Sequence, residues 1–281
     1  MPWWECVRLR GPPGSAFCSS VRAVSLQSYS LAAGVVPELA ADPVAFVRAA
    51  SDAGWRACGV WFDPETWTEA TSREMRAVLD DTGIVPLDLE VIRLGQGDHR
   101  PAVETARALG IPNVLCISML DDGIETVARY AELCADCGAV GVRACLEFMP
   151  FSSVRGLRDA LDVIAAVDHA AAAVLVDTLH LIRSGGSIDD VRSIDPALVP
   201  YAQWCDGLAS LDDASRRGLV LDALEGRSCP GEGEFPVDEF VAALPALTPL
   251  SLEIRSAALR DAHPDPTSRA RAVLAAVTAR R

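Results

Sequence analysis

The stretch Val174-Leu175-Val176-Asp177-Thr178-Leu179-His180 ends an apolar run on an acid and places a histidine three residues later. Two other apolar runs carry an acid in the same way, Ala144-Cys145-Leu146-Glu147-Phe148 and Leu250-Ser251-Leu252-Glu253-Ile254. Strand tips that each present one carboxylate are a common way to build a polar centre, often a metal site, at the mouth of a parallel barrel.

Working outward from these runs, short β-rich segments alternate with amphipathic helical ones. Strands are expected at Val21–Leu26, Ala57–Phe62, Ile84–Val91, Asn113–Ser118, Arg143–Phe148, Ala173–Asp177, Val199–Cys205 and Leu250–Ile254. Helices are expected at Pro43–Ala53, Glu69–Asp81, Arg100–Leu109, Ile124–Cys137, Val154–Val167, Ile188–Ser193, Val237–Leu244 and Ser268–Arg280. Asp42-Pro43 reads as an N-cap followed by proline at the first helical position. Gly54, Gly83, Gly110 and Gly138 read as helix stops.

Eight strand–helix units in 281 residues predict a single-domain α/β fold, a (β/α)8 TIM barrel. A doubly wound open sheet is the competitor, weakened because no glycine-rich dinucleotide loop follows the first strand. The barrel is expected over residues 21–281. Residues 1–20, with Gly11-Pro12-Pro13-Gly14-Ser15 and no periodicity, read as a flexible leader.

A formal charge of −14 argues against nucleic acid and against an anionic membrane surface as partners. No apolar run is long enough to span a bilayer, and the N-terminus lacks the pattern of a signal peptide. Nine scattered cysteines, an odd number, suit a reducing cytoplasm better than a disulfide framework. Cys134 and Cys137 form a lone C-x-x-C within a helical pattern, which reads as buried thiols. The expected partner is a small-molecule substrate, and homo-oligomerisation is left open.

Glu147, Asp177 and Glu253 fall near the ends of strands five, six and eight, and Gln203 falls on strand seven. Four such positions converge at a barrel mouth, and several buried carboxylates together imply a cation or shared protons. Each has a plainer reading. Glu147 and Glu253 could pair with Arg143 or Arg255, Asp177 could cap a helix, and Gln203 could be a structural hydrogen-bonder. Glu90 ends strand three and could face the mouth. Trp61 and Trp204 could wall the pocket or pack in the core. The segment Gly207–Gly231 reads as a long loop and candidate lid.

Leu146-Glu147, Asp177-x-x-His180, Arg227 before Pro230-Gly231-Glu232-Gly233, and Leu252-Glu253-Ile254 together resemble the sugar phosphate isomerase/epimerase family, the xylose isomerase-like barrels. The resemblance implies that Glu147 and Glu253 bind a divalent metal and exchange protons with substrate, and that Asp177 is a further ligand. It also implies that His180 and Arg227 contact substrate; Glu90, from its place at the end of strand three, is expected to support the substrate pocket rather than the chemistry itself. The family usually places a histidine ligand on strand seven, where this chain has Gln203. The resulting all-oxygen set of Glu147, Asp177, Gln203 and Glu253 would favour Mn²⁺ or Mg²⁺ over zinc. The implied activity is isomerisation or epimerisation of a sugar, keto-polyol or related metabolite through an enediolate. A dehydratase of the same fold and a non-catalytic ligand-binding barrel are the alternatives. An abasic-site endonuclease would need several histidine ligands and a basic groove, and this acidic chain has four histidines.

Overall fold

The computed structural model describes residues 29–280. Eight parallel strands close into a barrel in chain order: β1 Tyr29–Leu31, β2 Ala57–Trp61, β3 Val85–Leu94, β4 Asn113–Ser118, β5 Arg143–Glu147, β6 Ala172–Asp177, β7 Ala202–Trp204 and β8 Leu250–Leu252. The helices are α1 Pro43–Ala53, α2 Glu69–Thr82, α3 Arg100–Leu109, α4 Gly123–Ala139, α5 Leu157–Val167, α6 Thr178–Arg183, α7 Ile188–Arg192, α8 Arg216–Glu225, α9 Val237–Ala243, α10 Ala257–Ala262 and α11 Pro266–Thr278. None of them is long and apolar enough to cross a membrane.

The strand that closes the barrel differs from expectation. It is Tyr29–Leu31, whose residues pair with Leu250, Ser251 and Leu252 of β8, while Leu31 also meets Cys58 of β2. The apolar run Val21–Leu26 and the leader lie outside the described residues. The true first strand is three residues long with a serine at its centre, so it gives almost no apolar signal.

Local chemistry accounts for most helix boundaries. The Asp42 side chain accepts from the Ala45 amide at 2.9 Å, Pro43 opens α1, and Gly54 ends it at φ +98°. Gly83 and Gly110 end α2 and α3 in the same left-handed conformation. Gly138 corrects the expectation, because it lies inside α4. A Cβ there would come within 2.5 Å of the His169 ring, so this glycine permits a close approach instead of ending the helix. The C-x-x-C thiols are buried in α4, and burial pushes Cys134 up to about 11 and Cys137 up to about 12.

Gly207–Gly231 is not a structureless loop. It contains α8, which exposes Leu221 and Leu224 and so lacks a clean apolar stripe in sequence. A second helix, α6, starts directly after β6 with Asp177 as its N-cap.

Most of the core fills the space between sheet and helices. A smaller cluster of Leu115, Cys145, Ala173, Leu175 and Tyr201 plugs the barrel interior. In register, Asp177 pairs with Gln203, Gln203 with Ser251, and Ser251 with Ser30. Partners across a parallel ladder share a face of the sheet, so this row points into the barrel. Glu147 pairs with Leu175, two residues below Asp177, and so faces inward at the adjacent level.

Candidate active site

The expected residues are brought together above the interior plug. Glu147, Asp177, His180, Gln203, Arg227, Glu253 and Glu90 are all buried. Register accounts for Glu147, Asp177 and Gln203; Glu90 lies on β3, His180 in α6, Arg227 just after α8 and Glu253 just after β8.

Asp177 is fully buried and both its oxygens are engaged. Oδ1 accepts from the His180 amide at 3.0 Å, and Oδ2 accepts from Arg227 Nη1 at 2.6 Å. Burial alone would raise this carboxyl, but the guanidinium outweighs it and holds Asp177 below the usual aspartate range. The capping reading of Asp177 is therefore correct, with an ion pair added.

Arg227 sits deeper than a loop residue reaching for substrate. Its Nε donates to the Ala223 carbonyl at 3.1 Å in the last turn of α8, and Nη1 also approaches Cys205 Sγ at 3.3 Å. The Pro-Gly-Glu-Gly turn after it is held by Asp206, whose carboxylate accepts from the amides of Gly231 at 2.8 Å and Phe235 at 2.9 Å. Gly231 stands at φ +90°, and a Cβ on Gly233 would lie 2.4 Å from Asp206 Oδ1. Both glycines of the turn are thus required by geometry.

The Gln203 amide lies against two acids, 3.0 Å from Glu147 Oε1 and 3.2 Å from Asp177 Oδ2, where its nitrogen, once swapped with the oxygen, would donate to both. His180 Nε2 stands 3.9 Å from Glu147 Oε1, and Phe151 meets the ring edge-on at 5.7 Å. Burial lowers His180 to about 4, so the imidazole is neutral at pH 7, and its Nδ1 has no hydrogen-bond partner. Burial and the neighbouring Asp177 charge push Glu147 well above the usual glutamate range. Burial also raises Glu253, although Arg227 and Arg255 pull against it.

Sequence reading missed three contributors. Gly34 follows β1, and a Cβ there would lie 2.4 Å from Glu253 Oε1; Gly59 in β2 stands likewise 2.7 Å from Glu90 Oε1. Each glycine makes room for a carboxylate, a role that glycine inside a strand pattern can signal. Asp88 on β3 is the third. It is fully buried beside Glu90, Glu253 and Tyr201, and no hydrogen bond of normal geometry reaches either of its oxygens. Glu90 accepts from the Ala33 amide at 3.3 Å, and burial with Asp88 and Glu253 nearby raises its carboxyl strongly. Trp204 packs against Tyr29 with ring centroids 5.9 Å apart, as core, and Trp61 is half-buried.

The donor set expected for a divalent ion does not fit one as arranged. Asp177 is engaged by Arg227 and by a backbone amide. Among the described residues, no group of three or more His, Cys, Asp or Glu side chains is placed to hold a metal ion. Two cavities flank the centre. One of about 630 Å³ is lined by Arg227, Cys229, Glu232, Ile254 and Ser256, among others, and one of about 270 Å³ by Met119, Phe151, Ser153, Arg155 and Arg216, among others. Neither is lined by Glu147, Asp177, Gln203 or Glu253, all four of which are buried.

Comparison with known proteins places this architecture. No curated protein sequence matches the chain. Among solved structures, a xylose isomerase-like TIM barrel/4-hydroxyphenylpyruvate dioxygenase fusion protein is similar at 21% identity and TM-score 0.71; the match covers 89% of this chain and 42% of the fusion protein. The chain thus spans less than half the length of that protein. The IOLI protein with a binding zinc atom is similar at 15% identity and TM-score 0.72, covering 89% of this chain and 96% of that one. D-psicose 3-epimerase from Clostridium cellulolyticum H10 is similar at 14% identity and TM-score 0.67, with 89% and 96% covered. The family model described as xylose isomerase-like TIM barrel matches residues 47–277, and the chain belongs to that family.

Proposed function

We propose that the chain is an isomerase or epimerase of a sugar, keto-polyol or related small metabolite, acting by proton abstraction beside a carbonyl to form an enediolate. The observation that carries this reading is a pair of buried carboxylates in unequal electrostatic settings. Burial raises both, and both feel Asp177 and Arg227, but Asp177 leads after burial at Glu147, whereas at Glu253 Arg227 and Arg255 lead and hold the rise down. Environments that push two acids apart assign their roles. Glu253 ionises more readily and is the base, and Glu147 retains its proton and is the acid.

In this scheme Glu253 takes the proton from the substrate carbon. The electron pair moves onto the carbonyl oxygen, where neutral His180 donates a hydrogen bond and Arg227 supplies positive charge. Glu147 returns a proton to the adjacent oxygen or to the opposite face of the carbon, and proton exchange between turnovers resets the pair. The fold similarity to an epimerase agrees with this chemistry. Mn²⁺ or Mg²⁺, implied by the sequence resemblance, and zinc, named with one similar structure, would have to share Asp177 with Arg227. None of the steps above is routed through such an ion.

Solvent-deuterium incorporation at a substrate carbon tests the scheme, with keto-sugars, inositols and dehydroshikimate as trial substrates. Glu147→Gln and Glu253→Gln are each expected to slow exchange by about 10²–10⁴-fold. Full exchange in both variants would rule the scheme out. Loss of a β-hydroxyl from the same enediolate would appear as a dehydrated product and mark a lyase. Exchange should fall at low pH, where Glu253 is protonated, and at high pH, where Glu147 loses its proton.

Gly34→Ala supplies an independent check. The added methyl claims the space of the Glu253 carboxylate without touching the core. We expect exchange to fall about 10–100-fold with little change in the urea unfolding midpoint. Unaltered exchange would mean that the position of Glu253 does not matter.

A further inference from the structure

The geometry points to an anion subsite beside the centre: Arg155 and Arg216, which line the cavity of about 270 Å³ next to Phe151, hold a carboxylate or phosphate on the distal end of the substrate. The inference rests on the reading of the centre as a proton-transfer site and narrows its substrate to one that carries an oxyanion.

The first ground is position. Phe151 belongs to both places. Its ring meets His180 edge-on with centroids 5.7 Å apart, and the same residue lines the cavity. The cavity therefore begins one aromatic ring away from the imidazole that faces the reacting carbonyl. Met119 and Phe151 offer apolar contact to a carbon chain, and the arginines supply the polar groups that orient it.

The second ground is that both guanidinium groups lack an acidic partner. The chain has 39 acidic residues against 25 basic ones, so carboxylates are plentiful, and Arg183 and Arg227 are each paired with one. Among the described residues no ion pair engages Arg155 or Arg216, although Asp121 lines the same cavity. The nearby acids are spent on backbone amides. Asp159 accepts from the Arg155 amide at 2.9 Å, and Asp213 accepts from the Ser215 amide at 2.9 Å. Arg216 donates through Nε to the Phe151 carbonyl at 3.2 Å, which leaves its two Nη groups without a protein partner. Such a planar fork matches the oxygens of a carboxylate or phosphate. Two like charges at one small cavity repel, and an anion between them removes that repulsion while bonding to each.

The third ground is the wall. The Ser153 hydroxyl is bonded to Ser118 Oγ at 3.0 Å, and Ser152 donates to the Met149 and Val154 carbonyls at 2.9 and 2.8 Å. The loop that carries Phe151 and Arg155 is thus held by its own hydrogen bonds, and little ordering remains to be done when a ligand arrives.

The test reads binding, so it is separate from turnover. The protein is titrated calorimetrically at low ionic strength with fructose, fructose 6-phosphate, 5-ketogluconate and inorganic phosphate. We expect at least one of the two charged keto-sugars to bind about 10–30-fold tighter than fructose, and tighter than inorganic phosphate. The one that does identifies phosphate or carboxylate as the group held. Arg155→Gln/Arg216→Gln is expected to erase the preference, and added salt to shrink it. Both residues are exposed, so the double variant should keep the urea midpoint of the wild type. Equal affinity for neutral and charged keto-sugars, no binding of either charged one, or a preference that survives in the double variant would overturn the inference. Inorganic phosphate bound as tightly as fructose 6-phosphate would also overturn it, because the arginines would then serve a free anion and no substrate. A charge preference with no solvent exchange on any trial substrate would remove the isomerase reading and leave the subsite standing. Exchange on a neutral substrate with no charge preference would do the reverse.

Discussion

Arg227→Met lowers the unfolding free energy by about 3–5 kcal/mol, measured by urea denaturation at pH 7. The loss comes from what stays behind rather than from the bond removed. Asp177 is fully buried, and the Arg227 guanidinium is what holds its carboxyl in the charged form. Methionine fills much of the vacated volume, so packing contributes little. The diagnostic is the double variant Asp177→Asn/Arg227→Met, which removes both charges and should recover a large part of the loss. A single variant within about 1 kcal/mol of wild type would mean that Asp177 finds another partner or protonates without cost, well below the range for a broken buried pair.

Asp88→Asn works in the opposite direction. Burial pushes this carboxyl up to about 7, with the Glu253 charge adding to it, whereas in the unfolded chain it titrates near the ordinary aspartate value. Between about pH 4 and pH 7 the unfolded chain releases a proton that the folded protein keeps. The folded state therefore binds more protons, and stability falls as pH rises across that window. At about 1.4 kcal/mol per pKa unit, the penalty at pH 8 has a ceiling of about 4 kcal/mol. Asparagine cannot ionise, so the variant should be more stable than wild type by about 2–4 kcal/mol at pH 8. It should show little gain at pH 4. Urea midpoints of both proteins across this range decide the matter, and parallel pH profiles would show that Asp88 is not the group responsible.

The sequence told more about the strands than about what joins the side chains at their tips. The apolar runs ending in Glu147, Asp177 and Glu253 were legible because buried parallel strands are continuous in hydrophobicity and one acid stands out against them. Gln203 was placed by counting strands. The first strand was not legible, because Tyr29–Leu31 is short and turns a serine inward, so its identity depends on pairing with β8. Arg227 was singled out, but its pairing with Asp177 spans fifty positions and depends on where α8 ends. Asp88 was hidden for a different reason. An acid between two leucines reads as the solvent side of a half-buried strand, and only barrel closure makes that side an interior. Gly34 and Gly59 carry no chemistry of their own and acquire meaning only from the carboxylates that lean over them.

The burial of the centre has a kinetic consequence. The attachments at the two ends of α8 are unequal. Near its C-terminal end, Asp222 is gripped by Arg183 at 2.7 Å in a buried pair, and Arg183 also holds the Leu208 carbonyl at 2.8 Å. At its N-terminal end, Arg216 reaches the Phe151 carbonyl through one exposed hydrogen bond of 3.2 Å. A solvent-facing bond of that kind contributes about 1 kcal/mol, so this end lifts first and the other serves as the hinge. A product leaving past this end would be released at a rate set by how often that latch opens, independently of how fast the carboxylates exchange a proton.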